Sequence, residues 1–138
     1  MSNYLSFAIG FVLALVVGAF ARIIGLDRER GFYPIVTMIV GTFFVLFSCI
    51  AGSTTLLLVE IAICLVFIGL GVAGFKQSLW FTVVGLGGHG IFDLIHMHVI
   101  DHPGVPVWWP GFCSGYDIAA AALLSVMLLR GAVTPREV

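Results

Sequence analysis

Gly85–Asp117 reads GLGGHGIFDLIHMHVIDHPGVPVWWPGFCSGYD. This stretch holds all four histidines, three aspartates and a Trp-Trp pair, in a chain of 138 residues that is otherwise mostly apolar. Its reading decides the fold. If its first half crosses a bilayer, several ionisable groups lie at or below the membrane surface, where they need partners and often serve a function.

The surrounding composition favours the bilayer. Hydrophobic residues make up 61% of the chain and charged residues 9%, with a mean hydropathy of +1.18, far from the balance of a soluble domain. A water-soluble fold of this size could not hide so much apolar surface, whereas a membrane makes hiding it unnecessary. The length allows a single domain, residues 1–138. A net charge of −1 gives no case for nucleic acid. Met1-Ser2-Asn3-Tyr4 lacks the basic region of a signal peptide, so the first apolar run reads as a retained helix.

Stretches long enough to cross a hydrocarbon core of roughly 30 Å fall at about 4–21, 32–51, 55–75 and 78–99, with a shorter fifth at about 114–130. The expected fold is an all-α membrane protein of five transmembrane helices, with an outer loop over 99–113. The basic residues test the count. Arg22, Arg28 and Arg30 fall in the first loop, Lys76 in the third, and Arg130 and Arg136 in the C-terminal tail. Five helices put all six on one side, which the positive-inside rule makes cytoplasmic. The N-terminus and the histidine-rich loop then face outward and the C-terminus is cytoplasmic, as in a bacterial inner membrane. Tyr33 and Trp80 are expected at the inner interface, and Tyr4, Trp108 and Trp109 at the outer one.

Gly69, Gly71 and Gly74 on helix three and Gly85, Gly87, Gly88 and Gly90 on helix four suit close packing of that hairpin. GLGGHG lacks the strand-then-helix setting of a nucleotide fingerprint. No repeat is evident, and an odd helix count argues against an inverted-repeat transporter.

His89, Asp93 and His96 are spaced i, i+4 and i+7 and project from one face of helix four. They cannot comfortably face lipid, so the stripe should point into the bundle. Glu60 lies about one and a half turns below the outer end of helix three, and Asp117 opens helix five from the outer side. Imidazoles with carboxylates form a borderline-to-hard ligand set that fits Zn²⁺, Fe²⁺ or Mn²⁺ better than copper(I). One metal can take His89 with Asp93, or Asp93 with His96. All three would be strained, because His89 and His96 lie about 10 Å apart along the axis. Glu60 and Asp117 would complete the shell, or one would act as general base.

Simpler roles compete with each assignment. Glu60 can be a protonated carboxyl bonded to a neighbouring helix, and Asp117 a first-turn acid. His98, Asp101 and His102 read as a solvated surface group, and Trp108 and Trp109 as an interfacial anchor. Pro103, Pro106 and Pro110 chiefly stiffen the loop, which can also act as a lid. Cys49, Cys64 and Cys113 form no CxxC pair; a disulfide between Cys49 and Cys113 is one option, since both fall toward the outer face.

Four histidines are too few for a di-iron desaturase, HExxH is absent, and no serine reads as part of a triad. The His-x3-Asp-x2-His stripe is loosely similar to the metal sites of membrane hydrolases such as alkaline ceramidases, which have seven helices and further ligands. HGIFDLIH…HPGVPVWWPGFCSGYD resembles a pattern of small, uncharacterised bacterial integral membrane proteins. That resemblance implies that His89, Asp93, His96, Trp109, Cys113 and Asp117 act as a unit, and implies no activity.

Three functions follow as expectations. The first is a metal-dependent membrane enzyme acting on a lipid-like substrate, with His89, Asp93 and His96 as metal ligands and Glu60 and Asp117 as catalytic groups. The second is an accessory or structural subunit of a larger membrane complex, or a homo-oligomer. The third is a proton- or ion-translocating channel or carrier. Membrane lipid is the expected surrounding in each.

Overall fold

In a computed structural model, which describes residues 2–133, the chain forms five α-helices and, among the described residues, no strand. They are α1 (Asn3–Ile24), α2 (Phe32–Ala51), α3 (Thr54–Lys76), α4 (Trp80–Val99) and α5 (Trp109–Leu129). Helices α1, α2, α3 and α5 are long and apolar enough to cross a bilayer. Helix α4 has 20 residues and carries the polar stripe. Its Ile91, Leu94, Ile95 and Val99 are exposed, while His89, Asp93 and His96 are buried. That is the inside-out pattern of a helix with its apolar face toward lipid and its polar face toward protein.

Local chemistry sets the helix ends. The Ser2 hydroxyl accepts from the Leu5 amide and the Ser53 hydroxyl from the Leu56 amide, each satisfying an orphan first-turn donor. Gly25, at φ +80°, closes α1 in the left-handed conformation that favours glycine, and its N–H reaches the Ala21 and Arg22 carbonyls. Arg30 ties the α2 side of the first loop to the end of α3 by donating to the Phe75, Gly74 and Gln77 carbonyls at 2.7, 3.3 and 3.0 Å. Arg22, Arg28, Arg30, Lys76 and Arg130 lie in or beside the α1–α2 loop or at the C-terminal ends of α1, α3 and α5. Arg136 lies outside the described residues.

Helix α5 differs most from its sequence reading. It starts at Trp109, five residues before the expected 114, and the outer loop shortens to 100–108. Pro110 and Gly111 read as helix breakers, yet proline is tolerated in the first turn, where its missing N–H has no intrahelical partner. The added turn packs on α1. A Cβ at Gly10 would strike the Phe112 carbonyl, and one at Gly115 would strike the Phe7 carbonyl. The two backbones therefore approach as only glycines permit.

The α3–α4 glycine match is not the main use of those residues. Gly71 packs against Met38 and Pro34 of α2, Gly90 against Ser114, Asp117 and Ile118 of α5, and Gly69 and Gly88 have open space beside them. Only Gly74 against Thr82, and Gly85 against Leu70, join α3 to α4. Tyr33, beside Arg22 and Arg130 at the basic end of the bundle, is buried in the core with Val40, Leu86 and Leu124.

Candidate metal centre

Helices α4 and α5 each present an i, i+4 pair to the bundle interior. On α4 the pair is His89 and Asp93; on α5 it is Cys113 and Asp117. This spacing stacks both members on one face, one turn apart. One ligand atom from each of the four residues lies within 4.8 Å of the others, and all four residues are buried. Gly90 makes room for this approach, because its missing side chain lets Ser114 and Asp117 of α5 come close to α4.

His89 Nδ1 lies 2.7 Å from Asp117 Oδ2 and 3.4 Å from Asp93 Oδ2. The single Nδ1–H donates to Asp117. Cys113 Sγ donates toward the same Asp117 oxygen at 3.6 Å. Both Asp93 oxygens and Asp117 Oδ1 are left without a hydrogen-bond partner. Buried carboxylate oxygens normally have partners, and each exception calls for an explanation. Two carboxylates around one imidazole carry more negative charge than the imidazole can balance, a deficit that a bound cation would meet.

The donor set suits such a cation. One imidazole, one thiol that binds as thiolate and two carboxylates make four ligands, the number a tetrahedral Zn²⁺ takes and one open to Fe²⁺. The thiolate makes Mn²⁺ a poorer match than a purely His/Asp/Glu set would.

Glu60 and His96 do not join this cluster. His96 Nε2 sits 2.6 Å from Glu60 Oε1, both side chains fully buried, in a separate layer closer to the outer ends of α3 and α4. The Phe92 ring lies between the layers, 4.9 Å from the His96 centroid and 6.2 Å from that of His89. Phe44 lies 4.2 Å from the His96 ring. The predicted stripe thus divides after Asp93. Its inner part faces α5, and its outer residue faces α3.

Asp117 is corrected in position as well. It lies two turns inside α5, so it is neither an N-cap nor a first-turn acid. His102 is corrected in environment. It is 2% exposed rather than solvated, and its Nε2 lies 3.0 Å from the Ser48 hydroxyl on α2. Burial holds its imidazole below the usual range, an effect opposed by the nearby Glu60. With Val105 packed against Phe44 and Phe47, His102 seats the 100–108 loop over the outer layer. His98 and Asp101 are exposed, as expected. Trp108 is exposed, whereas Trp109 packs edge-on against Phe43 and Phe47 at 4.9 and 5.1 Å.

Cys113 is the candidate ligand that the reading of the chemistry missed. Starting α5 at 114 left Cys113 in a loop and hid its i, i+4 relation to Asp117. The signal was present in the sequence, because Cys-x3-Asp repeats on α5 the spacing of His-x3-Asp on α4. Cys113 is buried with a free thiol and Cys49 is exposed, so the two form no disulfide.

Two cavities reach the cluster. One, of about 530 Å³, is lined by Asn3, Tyr4, Phe7, Asp93, Met97 and His98 among others. The other, of about 270 Å³, is lined mainly by apolar residues of α1, α2 and α5 and includes Cys113. Compared with known families, curated proteins and solved structures, the chain matches none.

Proposed function

We propose that this chain is a metal-dependent membrane enzyme of the bacterial inner membrane acting on a lipid-like substrate. All five helices span the membrane in this reading, with the N-terminus outside and the C-terminus cytoplasmic. His89, Asp93, Cys113 and Asp117 hold one divalent metal, Zn²⁺ or Fe²⁺. The observation that carries the reading is the convergence of four buried residues, His89, Asp93, Cys113 and Asp117, with one ligand atom from each within 4.8 Å of the others, while three of the carboxylate oxygens lack a hydrogen-bond partner.

The metal would supply Lewis-acid chemistry through a position beyond the four side chains, polarising a carbonyl or phosphoryl oxygen of the substrate. The protein's part is access and enclosure. The 530 Å³ cavity has a size typical of small-molecule sites and reaches Asp93 from the N-terminal end of α1 and the C-terminal end of α4. Its lining mixes aromatic and aliphatic side chains with Asn3 and His98, suiting an amphipathic molecule that enters sideways from the bilayer. Glu60, expected as a catalytic group, is held by His96 in the outer layer. It supports the loop seat rather than the centre. Asp117, also expected as catalytic, is assigned as a ligand.

Elemental analysis of detergent-purified protein tests this reading. It predicts about one Zn or Fe per chain, lost in an Asp93→Asn/Asp117→Asn variant that still elutes as folded protein. Folded wild-type protein that stays metal-free after incubation with Zn²⁺ or Fe²⁺ overturns it.

The separate Glu60–His96 layer favours a second reading, a proton or ion path through the outer half of the bundle. That reading predicts pH-dependent flux in liposomes that disappears in Glu60→Gln. A lack of flux excludes it.

A further inference from the structure

At the opposite end of the bundle from the loop 100–108, a cavity of about 320 Å³ lies between the C-terminal parts of α1 and α5. Arg22 comes to it from α1, Arg130 from the end of α5, and Asp27 from the single 3₁₀ turn Leu26–Arg28. Its deeper wall is apolar, with Leu15, Leu123 and Val126 among the lining residues. Asp27 is 3% exposed. Its Oδ2 lies 3.5 Å from Arg22 Nη1, while its buried Oδ1 has no hydrogen-bond partner.

We infer that this cavity binds a glycerophospholipid whose headgroup carries an O–H or N–H donor beyond its phosphate. Two guanidinium groups against one carboxylate leave a net charge of +1, which a phosphodiester neutralises. Arginine's planar fork suits its oxygens. Asp27 Oδ1 accepts the headgroup donor, giving the unpartnered oxygen its bond. The apolar wall continues along α1 and α5 toward the bundle centre, the direction an acyl chain takes from a headgroup held at the membrane surface. Neither Arg22, Asp27 nor Arg130 belongs to the metal centre, so this site stands or falls independently of it.

The test is native mass spectrometry of the full chain, delipidated and then titrated with phosphatidylglycerol, phosphatidylethanolamine or phosphatidylcholine. The wild-type protein retains the first two, which carry headgroup donors, in clear preference to phosphatidylcholine, which has none. Millimolar inorganic phosphate does not displace them. Arg22→Gln and Arg130→Gln each weaken retention about fivefold, following a contribution on the order of 1 kcal/mol per basic side chain at the membrane surface. Asp27→Ala removes the preference over phosphatidylcholine. Equal retention of the three lipids by the wild-type chain overturns the proposal without recourse to any variant. So does a phosphatidylglycerol preference that survives loss of both arginines, or displacement of the lipid by free phosphate.

Discussion

The two polar layers of this bundle both set imidazole against carboxylate and lie next to each other on α4, yet they solve opposite problems. In the outer layer one carboxylate, Glu60, meets one imidazole, His96, at 2.6 Å, and His102 bonds Ser48, with Glu60 Oε2 and the Nδ1 atoms of His96 and His102 left without partners. In the inner layer one imidazole faces two carboxylates and a thiol, and three carboxylate oxygens find no donor. The difference comes from the opposing helix. Helix α3 offers a single acid to α4, while α5 offers a Cys-x3-Asp pair that meets His-x3-Asp. One acid for one imidazole suits a structural joint, and two acids and a thiol around one imidazole suit a cation.

The largest expected effect separates these roles through stability. Glu60→Leu leaves His96 buried without its partner and should cost roughly 3–5 kcal/mol, the usual result of breaking a buried pair. Adding His96→Phe, which removes the stranded imidazole, should restore much of that loss. Thermal unfolding in detergent measures both variants. A double variant as unstable as the single one would show that the pair does more than join α3 to α4.

The next effect separates the layers through metal. Asp93→Asn removes a charged ligand and should weaken Zn²⁺ binding on the order of 100-fold, at the upper end of what altered metal surroundings cost. Glu60→Gln should leave binding within a fewfold of wild type. Competition with a chelating dye reads both. Equal losses would merge the layers into one site.

Much of this was legible in the sequence. The membrane class, the helix count and the inward-facing His89–Asp93–His96 stripe all followed from composition and from i, i+4, i+7 spacing. Which helix each stripe residue faces did not follow, because spacing fixes a face and not its neighbour. His96 turned to α3 and His89 to α5. The start of α5 was hidden for a different reason. Pro110 and Gly111 signal a turn by local preference, but proline fits a helix's first turn and glycine there serves close packing on α1. Misplacing that turn left Cys113 in the loop, and His102, which does lie in the loop, was read as solvated although the structure buries it against Ser48.

A spectroscopic prediction sharpens the inner layer. Co²⁺-substituted protein should show a thiolate-to-cobalt charge-transfer band in the near ultraviolet that Cys113→Ser abolishes while cobalt remains bound. An unchanged band in Cys113→Ser would remove Cys113 from the ligand set.

The smallest effect belongs to the loop seat. Burial lowers the His102 pKa below its usual 6.5, so the unfolded chain takes up this proton before the folded one does. Stability from His102 is therefore full above pH 6.5 and declines as pH falls toward the folded value. His102→Gln should flatten that slope by about 1 kcal/mol or less. Unfolding midpoints at pH 7.5 and 5.5 give the comparison, and a slope unchanged by the substitution would assign the pH dependence elsewhere.

The central claim is that the acid excess of the inner layer holds a metal. X-ray absorption on protein loaded with one equivalent of Zn²⁺ tests it most directly, by reporting the atoms around the ion. The account predicts a first coordination sphere with one sulfur at about 2.3 Å and the remaining ligands nitrogen and oxygen at about 2.0–2.2 Å. A sphere without sulfur, or failure of the folded protein to retain Zn²⁺, would contradict it.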